Sequence, residues 1–331
     1  MVIVIIIISI LSALLIAGLI ILFILNYKDI KNKHEKLFNN TFKIDSRIES
    51  YVNEDFNLDA KQVKIPCDND TLTGYLYSYK EPKNDIIVVF FHGMFSSKES
   101  YLQEIGYIAN KGFLVLGFDY SGTNESSGTL RGLGNSLRCA NAAINYIKSN
   151  PELSNRKIYT IGHSWGGYAA GNIVKLHPDI AGTVLLAPFN TTKGLVKALI
   201  PNATHISLFI NYDNKLTNGF SKYKVVDSLR NYNNPVLVIQ SKTDPIVPYN
   251  IGLGKIEEKL KDKTNIKYIT PENRLHNPDY TIEATKLFLK FQQDLKKVKK
   301  EKQDEFYKSC DFRKMGELDP VVMDEIIDFF K

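Results

Sequence analysis

Lys157-Ile158-Tyr159-Thr160-Ile161 runs directly into Gly162-His163-Ser164-Trp165-Gly166, and then, past Gly167, into Tyr168-Ala169-Ala170-Gly171-Asn172-Ile173-Val174. The first segment has the β-branched and aromatic content of a buried strand, and the last reads as the start of a helix. The pentapeptide between them is a sharp strand-to-helix turn, and a serine at its apex projects its hydroxyl away from the sheet. Gly162 and Gly166 flank that serine because the backbone must come close to itself there. A hydroxyl so placed reads as a nucleophile, and a nucleophile needs a base, an orienting acid and donors for a developing oxyanion.

Working outward, strand and helix alternate on both sides of this turn. Gln62–Pro66 and Thr71–Tyr77 suggest a hairpin closed at Asp68-Asn69-Asp70. Ile86-Ile87-Val88-Val89-Phe90-Phe91 is an unbroken apolar run, the mark of a strand covered on both faces. Further strands are expected at 113–118, 182–186, 236–240 and 266–269, with helices at 100–111, 137–148, 252–260 and 281–298. Such repetition implies an α/β fold: a mostly parallel central sheet with helices on both faces, whose ligands sit at the carboxyl ends of the strands. The insertion 188–230 is too long for a bare loop and reads as a short helical cap over those strand ends.

The base and the acid should lie on loops after later strands. Of the six histidines, His34 lies in a polar stretch near the N-terminus, His92 and His163 lie within motifs, His177 ends a helix and His205 is in the cap. His276, in Arg274-Leu275-His276-Asn277-Pro278, follows the last strand and precedes the last long helix. It is the candidate base, and the chain order serine, acid, histidine suits this architecture. Asp244, on the loop after the 236–240 strand, is the candidate acid, and an Asx turn ahead of Pro245 is compatible with that role. His92-Gly93-Met94 closes the 86–91 strand. The backbone N–H groups of Met94 and Trp165 are the expected oxyanion donors, with His92 a structural hydrogen-bonding residue and Gly93 the turn.

The chain has 331 residues, a net charge of +6 and 44% hydrophobic residues, enough for one large core. The basic excess is diffuse and not interleaved with aromatics, which argues against nucleic acid as a partner. Cys67, Cys139 and Cys310 are far apart and without C-x-x-C spacing, so neither a disulfide framework nor a zinc site is expected. Val2 to Leu25 carries no charge and would rise about 36 Å as a helix, enough to cross a hydrocarbon core of about 30 Å. It lacks the basic start and the cleavage site of a signal peptide. Lys28, Lys31, Lys33 and Lys36 follow it, which places the main domain on the cytoplasmic side by the positive-inside rule. The expected organisation is a transmembrane anchor at 1–26, a juxtamembrane helix or tether at 27–60, the α/β domain at 61–298 and a charged segment with an amphipathic helix at 299–331. The sequence carries no mark of oligomeric state.

With His92-Gly93, Gly162 to Gly166, Asp244 and His276 in place, the chain resembles the α/β-hydrolase superfamily. The loop Phe118-Asp119-Tyr120-Ser121-Gly122-Thr123-Asn124-Glu125-Ser126-Ser127-Gly128 resembles its monoacylglycerol lipase, lysophospholipase and serine aminopeptidase-like branch, with Asn124 where that loop often has glycine. The resemblance runs from about Lys61 to Val298. It implies ester, thioester or amide hydrolysis through an acyl-enzyme, with no metal or organic cofactor. No P-loop, intact dinucleotide fingerprint or H-E-x-x-H motif contradicts it. Lys193, Lys197, Lys215, Lys222, Lys224 and Arg230 outnumber Asp213 and Asp227 in the cap, which suits a lipid ester better than a peptide amine. The expectation is a membrane-anchored serine hydrolase of carboxylic esters, a class that includes acylglycerols and lysophospholipids, acting through a Ser-Asp-His triad and an acyl-enzyme. The alternatives are a peptidase or acyltransferase with the same triad, and a catalytically silent interaction module.

Overall fold

The computed structural model describes the backbone of residues 2–331 and the side chains from Ile20 onward. Eight strands form one sheet: β1 (Asp59–Cys67), β2 (Asp70–Ser78), β3 (Ile86–Phe91), β4 (Leu114–Phe118), β5 (Lys157–His163), β6 (Gly182–Leu186), β7 (Val236–Ile239) and β8 (Ile266–Ile269). Their order is β1-β2-β4-β3-β5-β6-β7-β8. The β1–β2 and β2–β4 pairs are antiparallel and all others parallel. The hairpin closes at Asp68, whose φ of 53° is a left-handed backbone that aspartate tolerates.

The unbroken apolar run of β3 has its cause in the layering. Ile87, Val89 and Phe91 enter one core, while Ile86, Val88 and Phe90 enter the other, so neither face of the strand meets water. The helices are α1 (Val2–Phe38), α2 (Leu102–Asn110), α3 (Asn135–Ser149), α4 (Trp165–Leu176), α5 (Thr192–Leu199), α6 (Ile206–Leu216), α7 (Val225–Arg230), α8 (Leu253–Leu260), α9 (Ile282–Leu295), α10 (Gln303–Lys308), α11 (Phe312–Met315) and α12 (Pro320–Phe329). Side chains of α3, α4 and α8 share the core of Phe91. Those of α2 and the C-terminal α12 share the core of Phe90, where Met323, Ile326 and Phe330 are wholly buried. The amphipathic C-terminal segment is therefore a structural cover of the sheet. Asp319 caps it by accepting from Val321 N–H, with Pro320 at the first helical position.

The insertion folds as α5, α6, a short 3₁₀ turn and α7 over the strand ends. The segment 27–60 is not a free tether. α1 runs on to Phe38, and the chain beyond it lies along the 118–131 loop, with Phe42 N–H bonded to Gly122 C=O (2.7 Å) and Asn124 N–H to Phe42 C=O (2.7 Å). Among the described residues no helix is long and apolar enough to cross a membrane. Of the anchor expected over 1–26, the side chains before Ile20 lie outside the described ones.

Candidate active site

Ser164 sits between the end of β5 and the first turn of α4 with φ 56° and ψ −109°. A non-glycine residue in that conformation costs on the order of 1–3 kcal/mol, and the surroundings must hold it there. The flanking glycines show how. A Cβ on Gly166 would overlap the carbonyl oxygen of Phe91, and one on Gly162 would overlap that of Gly166. The turn therefore packs backbone against backbone, and Ser164 N–H is tied across to Leu186 C=O at 2.8 Å. Trp165, as the first residue of α4, has no intrahelical acceptor for its N–H. Met94 lies in the turn just after β3. Neither N–H has a backbone acceptor among the described bonds outside regular elements, which leaves both available to an oxyanion.

Asp244 uses its two oxygens for two tasks. Oδ1 accepts from the N–H groups of Ile246 (2.9 Å) and Val247 (3.0 Å), the Asx turn that the Pro245 context suggested. Oδ2 accepts from His276 Nδ1 at 2.9 Å and from Gln240 Nε2 at 3.2 Å. The carboxylate is fully buried and the imidazole one-fifth exposed, so the pair is fixed yet its free nitrogen can reach a ligand. The ring of His276 lies 4.8 Å, centroid to centroid, from that of His163, the residue just before the serine. The described hydrogen bonds of His276 run to Asp244 and His163, and none runs to Ser164 Oγ. Bonds of that kind often tighten only when substrate binds.

Sequence reasoning gave His163 no role, but it links three segments. Its Nε2 faces the carbonyl oxygen of His276 at 2.8 Å, and a carbonyl can only accept, so the proton is on Nε2. Nδ1 then accepts from Tyr101 O–H at 2.8 Å, while the same tyrosine oxygen accepts from Gly93 N–H at 3.1 Å. One hydroxyl thus joins the Gly93–Met94 turn and the Ser164 turn, and through His163 the loop of His276. Burial, reinforced by neighbouring His276, pushes His163 down to about 3, so it stays neutral. His92 is also neutral, pushed to about 4 by burial. Its Nδ1 donates to Gly93 C=O (2.7 Å) and its Nε2 accepts from Tyr120 N–H (3.1 Å), which makes it a brace rather than a second base.

The 118–128 loop is held from beneath by a buried lysine. Lys98 Nζ contacts Glu99 (2.6 Å), Asp119 (2.8 Å) and Glu125 (2.7 Å). Burial alone would lower the pKa of this ammonium, yet Asp119 and Glu99 hold it well above the ordinary lysine value. The three carboxylates converge closely enough to suggest a cation site, but that place is taken by the ammonium. Asn124 adopts φ 44°, the left-handed backbone for which glycine is favoured, and its Nδ2 donates to Glu99 Oε2 at 2.9 Å. The departure from the glycine pattern therefore keeps the loop's shape and adds a bond.

Beside the oxyanion turn lies a cavity of about 700 Å³. Met94 and Phe95 close one end, Leu199 and Phe209 of the cap form one side, and Ile30 and Leu37 of α1 form the other. Its lining is mainly apolar, with Asp29, Lys33 and Lys36 among the few charged groups. A concave, mainly apolar space beside a few polar groups is the usual form of a small-molecule site.

The sheet order, the strained serine turn after β5 and the Asp–His pair on later loops define a nucleophile-elbow α/β protein. The chain has the α/β-hydrolase fold. Residues 82–212 match the family described as serine aminopeptidase, S33, a span that includes Ser164, Met94 and Trp165 but ends before Asp244 and His276. Among curated proteins, the chain is 22% identical over 178 residues to the lysophosphatidylserine lipase ABHD12 of Xenopus tropicalis. The match covers 50% of this chain and 45% of the relative, so it spans about half of each. Among solved structures, the Pyrococcus furiosus esterase Pf2001 aligns over 78% of this chain and 98% of its own, with a TM-score of 0.58 and 19% identity. Est1E from Butyrivibrio proteoclasticus, with ferulic acid bound, aligns over 71% and 100%, with a TM-score of 0.53 and 21% identity. At these identities the structural matches speak to the fold.

Proposed function

We propose that this protein is a serine hydrolase that cleaves carboxylic esters of acyl lipids, with Ser164 as nucleophile, His276 as base and Asp244 as its orienting acid. The observation that carries the proposal is the strained Ser164 turn set beside the buried Asp244–His276 pair and the oxyanion turn. In the reaction, Ser164 Oγ attacks the ester carbonyl while His276 Nε2 takes its proton. The carbonyl electron pair moves to the oxygen, facing the N–H groups of Met94 and Trp165. Collapse expels the alcohol, which receives the proton from His276, and leaves an acyl-serine that water cleaves by the same steps in reverse order. Asp244 keeps Nδ1 as the donor, so Nε2 is the free base.

An ester of a lipid fits the surroundings better than a peptide. The cavity is apolar, and its one carboxylate, Asp29, is already paired with Lys33 at 2.7 Å, so nothing in it would hold a peptide's N-terminal ammonium. The curated relative is a lipase by name, which supports the same substrate class. The apolar run Val2–Leu25 followed by lysines supports a single-pass membrane anchor with the catalytic domain on the cytoplasmic side. The test is labelling of the full chain with a fluorophosphonate. Ser164 should be modified, and both Ser164→Ala and His276→Ala should abolish labelling. Labelling that persists in Ser164→Ala would assign the chemistry to another residue.

A further inference from the structure

We propose that the last turns of α1, from Ile30 to Phe38, are a specificity-determining wall of the substrate cavity, so that the helix leading to the membrane also sets the acyl chain length the enzyme accepts. This rests on the ester-hydrolase reading above and adds a role to a segment whose sequence looks like a tether. The occupant is the acyl chain of the substrate, running from the oxyanion turn between α1 and the cap.

The first ground is that the cavity has two sides and α1 is one of them. Ile30, Leu37 and Phe38 face the space bounded opposite by Leu199, Ile206 and Phe209. A space of about 700 Å³ is within the usual range of sites that take a small molecule or an acyl chain. The second ground is the care with which this part of α1 is fixed. His34 is buried, and its Nε2 lies 2.8 Å from Asp213 Oδ2 on α6. Its ring stands between Phe38, Phe209 and Tyr212 at centroid distances of 4.9, 5.1 and 5.1 Å. Tyr212 O–H donates to Glu35 at 3.0 Å, and Arg131 N–H to Phe38 C=O at 3.0 Å. A spacer needs no buried polar contact; a wall whose position determines what fits does.

The third ground is the coupling of that wall to the nucleophile turn. Asp213 Oδ2 also accepts from Leu133 N–H at 2.7 Å, and Leu133 C=O accepts from Trp165 Nε1–H at 2.6 Å. The carboxylate that holds α1 therefore holds the loop that buttresses the residue after Ser164. The fourth ground is the mouth. Leu37, Phe95, Leu199 and Ile200 are about half exposed there, and Ile20 to Leu25 expose their side chains farther up the same helix. Ile30 and Leu37 lie about 8 and 18 Å along α1 from Leu25, at 1.5 Å per residue. If the anchor ends near Leu25, the opening lies just beyond the headgroup layer, and Lys33 and Lys36 in its lining suit an anionic lipid surface.

The experiment compares kcat/KM for p-nitrophenyl laurate and p-nitrophenyl butyrate on the full chain in detergent micelles. Leu37→Trp fills the cavity from a half-exposed position and should lower the laurate-to-butyrate ratio at least tenfold. Each methylene denied burial costs about fourfold in transfer equilibrium, so three lost methylenes suffice. Leu199→Trp, on the cap side of the same space, should lower the ratio similarly. A ratio shifted by Leu199→Trp and unmoved by Leu37→Trp would show that α1 is only a tether and overturn the proposal. An equal fall for both esters in Leu37→Trp would also overturn it, since it would report a general structural fault. Leu37→Phe repeats the comparison should the tryptophan variant misfold. Absence of hydrolysis and of fluorophosphonate labelling in the wild type would instead refute the hydrolase reading, and this inference with it.

Discussion

Replacing Tyr101 by phenylalanine removes one oxygen and leaves the ring in place. That oxygen accepts from Gly93 N–H at 3.1 Å and its proton goes to His163 Nδ1 at 2.8 Å. Tyr101 is buried, and so are both partners. Neither Gly93 N–H nor His163 Nδ1 can turn to water, so the substitution orphans one donor and one acceptor at about 1–3 kcal/mol each. Against this stands the relief of no longer desolvating the hydroxyl. The expected loss is on the order of 2–4 kcal/mol, a large part of the roughly 5–15 kcal/mol typical of a domain. Urea unfolding should show a lower midpoint with an unchanged slope. On the hydrolase reading proposed above, activity should fall more than stability alone explains, because Gly93 precedes Met94, the proposed oxyanion donor, and His163 holds the carbonyl of His276. A displacement near 1 Å there costs on the order of a hundredfold, and it should appear in kcat rather than in KM. A variant that loses under about 0.5 kcal/mol with kcat intact would refute the claim that this hydroxyl fastens the three segments together.

Acid sensitivity follows from the two neutral imidazoles. Burial holds His163 near 3 and His92 near 4, whereas an unfolded chain titrates histidine near 6.5. Between those values the unfolded state binds more protons, so stability falls as pH drops from about 6.5 to 4. The loss should be on the order of several kcal/mol and visible in urea midpoints, and it should be clearly smaller in His92→Gln. The buried carboxyls of Glu104 and Asp279 act at the other end. Burial, then proximity to Asp279, raises Glu104 well above the ordinary glutamate value, and its Oε1 has no partner. Here the folded state keeps a proton that the unfolded state gives up as pH rises past the ordinary glutamate value. Glu104→Gln should therefore stabilise the protein at pH 8 and leave it nearly unchanged at pH 4. A variant less stable than wild type at pH 8 would contradict that reading.

The parts of this fold that were legible in the sequence are those fixed by local pattern. The run Ile86–Phe91 reads as a central strand because a strand covered on both faces loses its alternation. The Gly162–Gly166 turn reads as a nucleophile site because its glycines are required by backbone contacts that no other residue allows. Asp244 and His276 are found by chain order, which the connectivity of the sheet imposes. Other contacts between charged or polar residues distant in sequence were not legible. His34 and Asp213 are 179 residues apart, and in sequence each looks like an ordinary member of a solvated, charged stretch. Lys98 reads as surface and is wholly enclosed by carboxylates from two loops. Tyr101 and His163 are 62 residues apart, and nothing in either local pattern marks them as partners. Such pairings arise only when the topology brings two loops to one place.

Asp213 gathers several distant segments at a single carboxylate. Its two oxygens accept from His34, from the N–H groups of Leu133 and Gly134, and from the hydroxyl of Ser221. Gly132 is glycine because at φ 146° a Cβ there would collide with that same carboxylate. One buried charge therefore fixes α1, the loop ahead of α3 and two parts of the cap. Removing one partner leaves a buried acceptor short of a hydrogen bond, which costs on the order of 1–3 kcal/mol. A cap able to swing open as a lid would have to break several of these bonds at once, each inside the protein. The cap is thus a fixed roof, and α1 is fixed to it. On the hydrolase reading proposed above, selection among substrates then rests on the shape of the space between them rather than on closure over a bound ligand.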